Sequence, residues 1–209
     1  MAEDWPDIRH TYDVVAEDYA DRFADELAGK PMDRKLLDTF AEEVAGPILD
    51  VGCGPAGHVA RYLADRGADV AGVDLSPISV EAARTRNPDL RFDTADMRAL
   101  PHADASFAGI IAFYSVVHLR RPDIPAALAE FHRVLRPGGR LLMSMHGGQD
   151  EIGADDWFDR GVSVRVTLVT LPELASLLEA AGFTITAQHE RHPEPTEHPT
   201  PRLYVLARR

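Results

Sequence analysis

The 209-residue chain predicts an α/β fold, a Rossmann-like doubly wound sheet that is mostly parallel, and three observations support this prediction. Strand-like apolar runs alternate with helix-like segments through residues 47–146. A glycine turn of the pattern GxGxxG, running from Gly52 to Gly57, directly follows the first apolar run. Two acids, Asp74 and Asp96, end or follow the next two runs. Because crossover connections are right-handed, such alternation gives a parallel sheet that binds ligands at the carboxyl ends of its strands.

Two amphipathic helices are expected before the first strand, within an N-terminal segment of residues 1–46. Apolar residues recur every three or four positions from Ile8 to Leu27, and the same spacing returns from Leu36 to Val44. This spacing places the apolar side chains on one face of each helix. The first stripe includes two tyrosines, Tyr12 and Tyr19.

The core, residues 47–146, is predicted to contain five strands with helices between them. The strands are expected near residues 47–51, 70–73, 90–94, 107–113 and 140–145. Ser76 followed by Pro77 is typical of a helix start. A later helix carries an apolar stripe from Ile124 to Leu135 and is expected to end at the Pro-Gly-Gly turn of residues 137–139.

Beyond the core we expect a lid insertion at residues 147–169 and a C-terminal segment at residues 170–209. Alternating valines at residues 162–168 predict an added strand outside the five-strand core. Thr170 and Glu173 have capping-box spacing ahead of a helix that stops at Gly182. Two closing strands, residues 183–188 and 202–207, complete seven strands and should form an antiparallel pair. The chain has no linker rich in Ser, Gly or Pro, which favours a single domain.

Composition excludes several functional classes. The net charge of -12, from 22 basic and 34 acidic residues, disfavours nucleic acids and anionic membranes as partners. Neither an apolar leader nor a run of transmembrane length is present, and the one cysteine, Cys53, suits a reducing cytoplasm. With Lys30 and Lys35 as the only lysines, the chain lacks both the phosphate-loop pattern and a Tyr/Lys dehydrogenase dyad.

Several motifs in order along the chain resemble those of the class I S-adenosylmethionine-dependent methyltransferases. The motifs are Asp50-Val51-Gly52-Cys53-Gly54, Val73-Asp74-Leu75-Ser76, Ala95-Asp96-Met97 and Val134-Leu135-Arg136-Pro137-Gly138-Gly139. The resemblance covers nearly the whole chain. It extends more loosely to a small-molecule branch that is similar to quinone-biosynthesis methyltransferases, and it does not specify the methyl acceptor.

The resemblance implies a set of residues that bind S-adenosylmethionine. The loop from Asp50 to Gly57 would wrap the methionine portion, with backbone groups near Gly52 and Gly54 holding its amino and carboxylate groups. Asp74 would bind the ribose hydroxyls, and a carboxylate can indeed accept two hydrogen bonds from a cis diol. Leu75 would pack against adenine, Asp96 would accept a hydrogen bond from its amino group, and the Met97 N–H would donate to a ring nitrogen. Phe113, within residues 112–115, would close over the methionine end. Tyr12 and Tyr19 would cover the cofactor.

Each implied residue also has a purely structural explanation. An acid such as Asp96 at a strand end commonly caps the following helix, whereas Ser76 already supplies that cap after Asp74. Tyr12 and Tyr19 lie on an apolar stripe, where core packing explains them equally well. Cys53 is interpreted as a small buried residue, not a nucleophile, because no histidine or acid stands at a recognisable spacing from it.

Two histidines, His118 and His146, are candidates for a general base that would serve a hydroxyl acceptor. Packing at a strand or helix end is the alternative for both, and a carbon or sulfur acceptor would need neither. The His- and Glu-rich residues 189–198 match no zinc spacing, so no metal site is predicted. Arg202 is expected either to reach an acidic substrate group or to be exposed.

The sequence therefore predicts a cytoplasmic methyltransferase, a monomer or homodimer, that uses S-adenosylmethionine to methylate an O, N or C atom of a small molecule. One alternative is an NAD-dependent oxidoreductase, which shares the glycine turn and the ribose acid. About forty residues before the first strand and the missing dyad weigh against it. A non-catalytic S-adenosylmethionine-binding module is the other alternative.

Overall fold

The computed structural model describes residues 5–209, so residues 1–4 of the predicted N-terminal segment lie outside it. Two helices come first, α1 at Ile8–Phe23 and α2 at Pro31–Glu43, joined through a 3-10 turn at Glu26–Gly29. The predicted stripe from Ile8 to Leu27 is therefore divided, since Leu27 lies in the 3-10 turn. Helix α1 begins after Asp7, whose side chain accepts a hydrogen bond from the backbone N–H of His10.

Strands and helices alternate through the rest of the chain. The strands are β1 Ile48–Val51, β2 Val70–Asp74, β3 Arg91–Thr94, β4 Phe107–Phe113, β5 Leu135–His146, β6 Glu151–Ala154, β7 Val164–Thr167, β8 Thr184–Arg191 and β9 Arg202–Arg208. The helices are α3 His58–Ala64, α4 Pro77–Arg86, α5 Ile124–Val134 and α6 Leu171–Ala180. Side-chain caps predicted from sequence open two of them: Ser76 accepts from the N–H of Ser79, and Thr170 accepts from the N–H of Glu173.

Seven strands form one sheet in the order β3-β2-β1-β4-β5-β9-β8. Strands β1 to β5 pair in parallel, while β9 is antiparallel to both of its neighbours. The Rossmann-like sheet with a terminal antiparallel pair is thus confirmed. The strand order reverses beside β1, because β2 lies on one side of it and β4 on the other. In doubly wound sheets this switch point opens a crevice at the carboxyl ends of the strands.

Buried apolar residues pack on both faces of this sheet. On one face Val51 of the sheet is buried in the same cluster as Phe131 of α5, and on the other Phe92 of the sheet is buried in the same cluster as Leu37 and Phe40 of α2. Strand β4 is buried along nearly its whole length. Near-continuous apolar runs are what a strand covered on both faces requires.

The helix predicted to end at residues 137–139 instead ends at Val134. Leu135 already pairs with Phe107 of β4, and the pairing then shifts before Gly109 meets Arg140. The Pro-Gly-Gly turn therefore forms an irregular start to β5, with Gly138 at a φ of +76°. Strand pairing outweighed the helical spacing of Leu135.

The lid insertion holds two strands where the sequence predicted one. Strand β7 pairs antiparallel with β6, which came from a stretch too polar to show a strand pattern. The insertion packs on α1: the Thr11 hydroxyl donates to the Ser163 carbonyl over 2.8 Å, and Arg160 forms two hydrogen bonds with Asp18. Among residues 5–209, no helix combines the length and apolarity needed to cross a membrane.

Candidate functional site

A cavity of about 1150 Å³ lies at the carboxyl ends of β1, β2, β4 and β5, beneath α1 and the lid insertion. Twelve of the thirteen residues predicted for the site line it. They are Tyr12, Tyr19, Asp50, Gly52, Gly54, Asp74, Leu75, Asp96, Met97, Phe113, His118 and His146.

Gly57 does not line the cavity. It caps the start of α3 with a φ of +57°, and a Cβ placed on it would lie 2.9 Å from Phe92 and 3.0 Å from Asn87. The third glycine of the motif therefore serves the tight turn and the close packing of α3 against the sheet.

The first two glycines shape the wall of the cavity. Gly52, at a φ of +75°, donates its N–H to the Val73 carbonyl, and a Cβ there would lie 2.3 Å from that of Ser115. Gly54 has a φ of +63°, and a Cβ there would be in ordinary van der Waals contact with the Tyr19 ring 3.9 Å away. The turn consequently exposes backbone to the cavity where side chains would block it.

The Asp74 carboxylate is anchored to this turn. Its Oδ2 accepts a 3.0 Å hydrogen bond from the N–H of Gly54, and its Oδ1 accepts one of 2.9 Å from the N–H of Ser76. Burial raises the pKa of Asp74, although both N–H groups favour the ionised form. Each oxygen keeps acceptor capacity for a ligand.

Asp50 is a buried carboxyl group, 1% exposed, at the end of β1. Burial raises its pKa to about 7. Within residues 5–209, no donor lies within hydrogen-bond distance of its Oδ2. A cationic group in the cavity would remove this deficit.

The adenine residues predicted from the resemblance follow β3. Asp96 is held by Arg98, whose Nε lies 3.0 Å from Oδ1 and whose Nη2 lies 2.7 Å from Oδ2. This guanidinium lowers the pKa of Asp96. Asp96 therefore faces the cavity with part of its acceptor capacity already used by Arg98, a partner that was not predicted from the sequence.

An aromatic cover closes the cavity from the side of α1. The Tyr12 and Tyr19 rings lie 5.4 Å apart, and the Trp157 ring lies 5.4 Å from the first and 5.8 Å from the second. Phe158 and Asp159 follow at φ values of +57° and +56°. Sequence reasoning missed Trp157, and its only signal was an aromatic pair that ends a polar stretch.

His118 connects this cover to the end of β4. Its Nδ1 lies 3.1 Å from the Arg165 carbonyl, which can only accept, so Nδ1 carries the proton. Its Nε2 then accepts from the Tyr12 hydroxyl over 2.9 Å. Burial lowers the pKa of His118 to about 4, so the ring is neutral near pH 7.

His146 is assigned the opposite tautomer by the hydrogen bonds around Thr200. The Thr200 Oγ1 lies 2.7 Å from the His146 Nδ1 and accepts from the Arg202 Nη1 over 2.8 Å. Thr200 is buried, and its hydroxyl proton is satisfied only if it goes to Nδ1. His146 then has its proton on Nε2, which makes it a donor, in contrast to the general base that the sequence suggested. Burial and the nearby Arg202 lower its pKa to about 3.

Charged residues that the sequence did not assign to the site line another part of the cavity. Lys30 lies 2.7 Å from Glu26 and 3.4 Å from Glu197, and Glu26 lies 2.9 Å from the His58 ring. Arg202, for which exposure was one expectation, is only 4% exposed. Glu26 and Lys30 lie in or directly after the 3-10 turn, Glu197 lies in the loop between β8 and β9, and Arg202 begins β9, so no single sequence motif contains them.

Comparison with known proteins gives the family. A family model described as a methyltransferase domain matches residues 48–139. Methyltransferase GfsG of Streptomyces halstedii is 37% identical over 147 residues, which are 67% of this chain and 48% of that protein. An O-methyltransferase of Pyrenophora dematioidea is 32% identical over 170 residues, 77% of this chain and 62% of that protein. The chain thus spans between about half and two thirds of the length of these relatives.

Solved structures share the fold. A S-adenosylmethionine-dependent methyltransferase from Methanosarcina mazei superposes with a TM-score of 0.71 at 22% identity, over 80% of this chain and 93% of that one. The cyclase SpnF superposes with a TM-score of 0.70 at 21% identity, over 97% and 94%. At this identity the likeness establishes the fold alone. The methyltransferase-domain match and the sequence relatives, on a chain with this seven-stranded sheet, place it in the class I S-adenosylmethionine-dependent methyltransferases.

Proposed function

We propose that this chain transfers a methyl group from S-adenosylmethionine to an O, N or C atom of a small molecule. The observation that carries the proposal is the Asp74 carboxylate, which is bonded to the Gly54 N–H and lines a cavity at the switch point of the sheet. S-adenosylmethionine is the cofactor of the family, and the relatives named above are methyltransferases.

The cavity's donors and acceptors fit that cofactor. The unpaired Oδ2 of Asp50 suits an ammonium group, and the Asp74 oxygens suit a ribose diol. Gly54 lines the cavity without a side chain of its own, so a ligand can lie close to its backbone. Within the proposed site, Leu75 and Met97 are the apolar neighbours for adenine, and Tyr12 and Tyr19 cover the cofactor.

When bound, S-adenosylmethionine supplies an electrophilic methyl group on a sulfonium that leaves as a neutral thioether. The chain's own task is then to align the acceptor and to exclude water. Tyr12, Tyr19 and Trp157 exclude water on one side. For an acceptor that loses a proton, we assign that proton to the neutral Nε2 of His118, which becomes accessible when the Tyr12 hydroxyl gives up its hydrogen bond.

A small-molecule acceptor is supported by the cover over the site. The lid insertion is fastened to α1 through Arg160 and Asp18, so the cavity is roofed rather than a groove along the surface. The net charge of -12 weighs against nucleic acid as the acceptor. We further propose that residues 1–209 act as a single domain, as a monomer or homodimer, in the cytoplasm, where the buried Cys53 thiol stays reduced.

Two other functions remain as outcomes of the test. An NAD-dependent oxidoreductase shares the glycine turn, and a non-catalytic S-adenosylmethionine-binding module needs no acceptor. The fold is compatible with reactions other than methyl transfer, because the cyclase SpnF has it too.

Calorimetry with S-adenosylmethionine, S-adenosylhomocysteine and NAD is the first experiment. We expect the first two to bind with micromolar affinity and NAD not to bind; tight NAD binding would contradict the proposal. The second experiment measures transfer of a radiolabelled methyl group into metabolite extracts. Cofactor binding without labelling in any extract would favour the non-catalytic module.

A further inference from the structure

The acceptor side of the cavity contains a buried arginine whose hydrogen-bond donors are only partly used. Arg202 begins β9, is 4% exposed and lines the cavity. Its Nη1 donates to the carbonyl and to the Oγ1 of Thr200, which are both neutral acceptors. Among the described residues, the hydrogen bonds of Arg202 come from Nη1 alone, and its Nε and Nη2 make none. Three of its five N–H groups therefore have no partner in the chain.

The nearest acid, Glu197, is already engaged by other donors. Its two oxygens accept from the Nη1 and Nη2 of Arg191 over 2.6 and 2.9 Å, and its Oε2 also accepts from the Glu194 N–H over 2.7 Å. The Nε of Arg202 forms an ion pair with Oε1 at 3.6 Å, a separation too long for a hydrogen bond, so Glu197 balances the charge of Arg202 without using its N–H donors. A guanidinium with unused donors at the cavity wall favours an anionic oxygen brought by a ligand.

His146 adds a further donor at the same place. It and Arg202 contact the same Thr200 oxygen, and the tautomer assigned above leaves the His146 proton on Nε2. The Tyr114 ring stands beside both, 5.4 Å from the His146 ring and 5.9 Å from the Arg202 guanidinium carbon. This corner of the cavity thus offers N–H donors next to an aromatic face.

We propose that Arg202 and His146, held by Thr200, form a carboxylate-binding subsite, so that the methyl acceptor is a molecule with a carboxylate beside a planar ring. Only the identification of the bound molecule as the methyl acceptor rests on the proposed function. The subsite itself binds a carboxylate whether or not methyl transfer occurs. A guanidinium matches a carboxylate with two parallel N–H bonds. Arg202 is in this account a specificity-determining residue.

The test compares benzoate with benzamide, which has the same ring and nearly the same shape but no charge. Affinities are measured by calorimetry or by ligand-observed NMR on the full chain. We expect the wild-type chain to bind benzoate at least about tenfold more tightly than benzamide, because a charge-assisted hydrogen bond is worth more than a neutral one. Equal affinity for the two probes, or no binding of either, would overturn the subsite.

Two variants with the same substitution locate the effect. R202Q should lose the preference for benzoate, while R208Q should keep it, because Arg208 lies exposed at the other end of β9. R202K retains the positive charge but lacks the two parallel N–H donors of the guanidinium, so it should lose part of the preference for benzoate. An unchanged preference in R202Q would contradict the proposal.

Binding of S-adenosylhomocysteine, measured on the same samples, separates the two proposals. If R202Q binds it as the wild type does, the variant is folded and its loss of benzoate affinity is local. If the wild-type chain binds benzoate through Arg202 but no S-adenosylhomocysteine, the subsite stands and the methyltransferase proposal fails. The comparison of the two probes on wild type needs no variant, so a poorly folded R202Q leaves the subsite testable.

Discussion

Gly52 and Ser115 lie in direct contact where β1 and β4 end, so closely that a Cβ on Gly52 would be 2.3 Å from the Ser115 Cβ. The Ser115 hydroxyl also donates to the Val51 carbonyl over 2.6 Å, which fixes the turn after β4 against the glycine turn. These two turns form adjoining parts of the cavity wall. Their contact makes the shape of the site dependent on the absence of a side chain at position 52.

Replacing Gly52 by alanine should therefore destabilise the fold and remove cofactor binding. The matched control is Gly67→Ala, since Gly67 also has a positive φ, +83°, but a Cβ there meets nothing within 4 Å. The control should lose about 1 kcal/mol of unfolding free energy from its backbone conformation. G52A should lose at least about 2 kcal/mol more, because two carbon atoms would overlap. Denaturant unfolding measures both, and equal losses would show that the contact is unimportant.

Asp74→Ala should reduce the affinity for S-adenosylhomocysteine about 100-fold or more. Two hydrogen bonds to a charged acceptor, each worth about 1.5–3 kcal/mol, would be lost. The control is Asp93→Ala, an exposed acid on the neighbouring strand β3 that pairs with Arg84. Calorimetry gives the affinities, and thermal unfolding shows whether each variant is folded. A folded D74A with wild-type affinity would refute the ribose role.

Both tryptophans of the chain, Trp5 and Trp157, line the cavity. Ligand binding should therefore change their fluorescence. Because Trp157 packs against both cover tyrosines, we expect W157F to lose most of the change that S-adenosylhomocysteine causes, and W5F to retain most of it. Emission spectra during a titration are sufficient. A full response in W157F would place the ligand away from the aromatic cover.

Sequence reasoning predicted the sheet and its switch point because strands buried on two faces leave strong apolar runs, as in Phe107–Phe113. It missed β6, where Glu151-Ile152-Gly153-Ala154 has one large apolar residue and pairs only with the other lid strand. Strand β6 is stabilised by pairing with β7, and its own sequence has no alternating apolar pattern that would predict a strand. The same reason explains why α5 ends before Leu135, whose strand pairing is non-local.

The candidate site divides in the same way. Gly52 and Gly54 belong to one short motif, and Asp74 ends the next strand along the chain. Their spacing in the sequence is therefore enough to predict a ligand site. Trp157 and Arg202 reach the cavity only through the folding of the lid and of the C-terminal strands. Histidine tautomers are harder still to predict from sequence, since the tautomer of His146 depends on a hydrogen bond to a single oxygen of Thr200.

Asp50 should make the stability of the chain depend on pH. Burial raises its pKa from 3.8 to about 7 in the folded state, so folding takes up a proton between these values. Its contribution is favourable below pH 4 and is lost as the pH rises through about 7. D50N has no carboxyl group to titrate at this position. The difference between the unfolding free energies of D50N and wild type should therefore shift in favour of D50N by about 2–4 kcal/mol from pH 4 to pH 7.5, at about 1.4 kcal/mol per pKa unit.

Urea unfolding across this pH range measures the effect of Asp50. Saturating S-adenosylhomocysteine provides the control, because its ammonium group should favour the ionised carboxylate and flatten the pH dependence of the wild type. A constant difference between D50N and wild type across this pH range would mean that folding does not shift the pKa of Asp50.

If His118 is the general base, the rate should depend on pH in a defined way. A general base works in its neutral form, and burial lowers the pKa of His118 to about 4. With saturating S-adenosylmethionine, which should keep Asp50 ionised, and a hydroxyl or amine acceptor found in the labelling screen, kcat/KM for the acceptor should stay level above about pH 5.5 and fall as the pH drops towards 4. H118Q should lose about 100-fold in kcat. His132→Gln is the control, since His132 packs against Phe183 away from the cavity. A wild-type profile that falls near pH 6.5, or an H118Q enzyme with unchanged kcat, would mean that another group takes the proton.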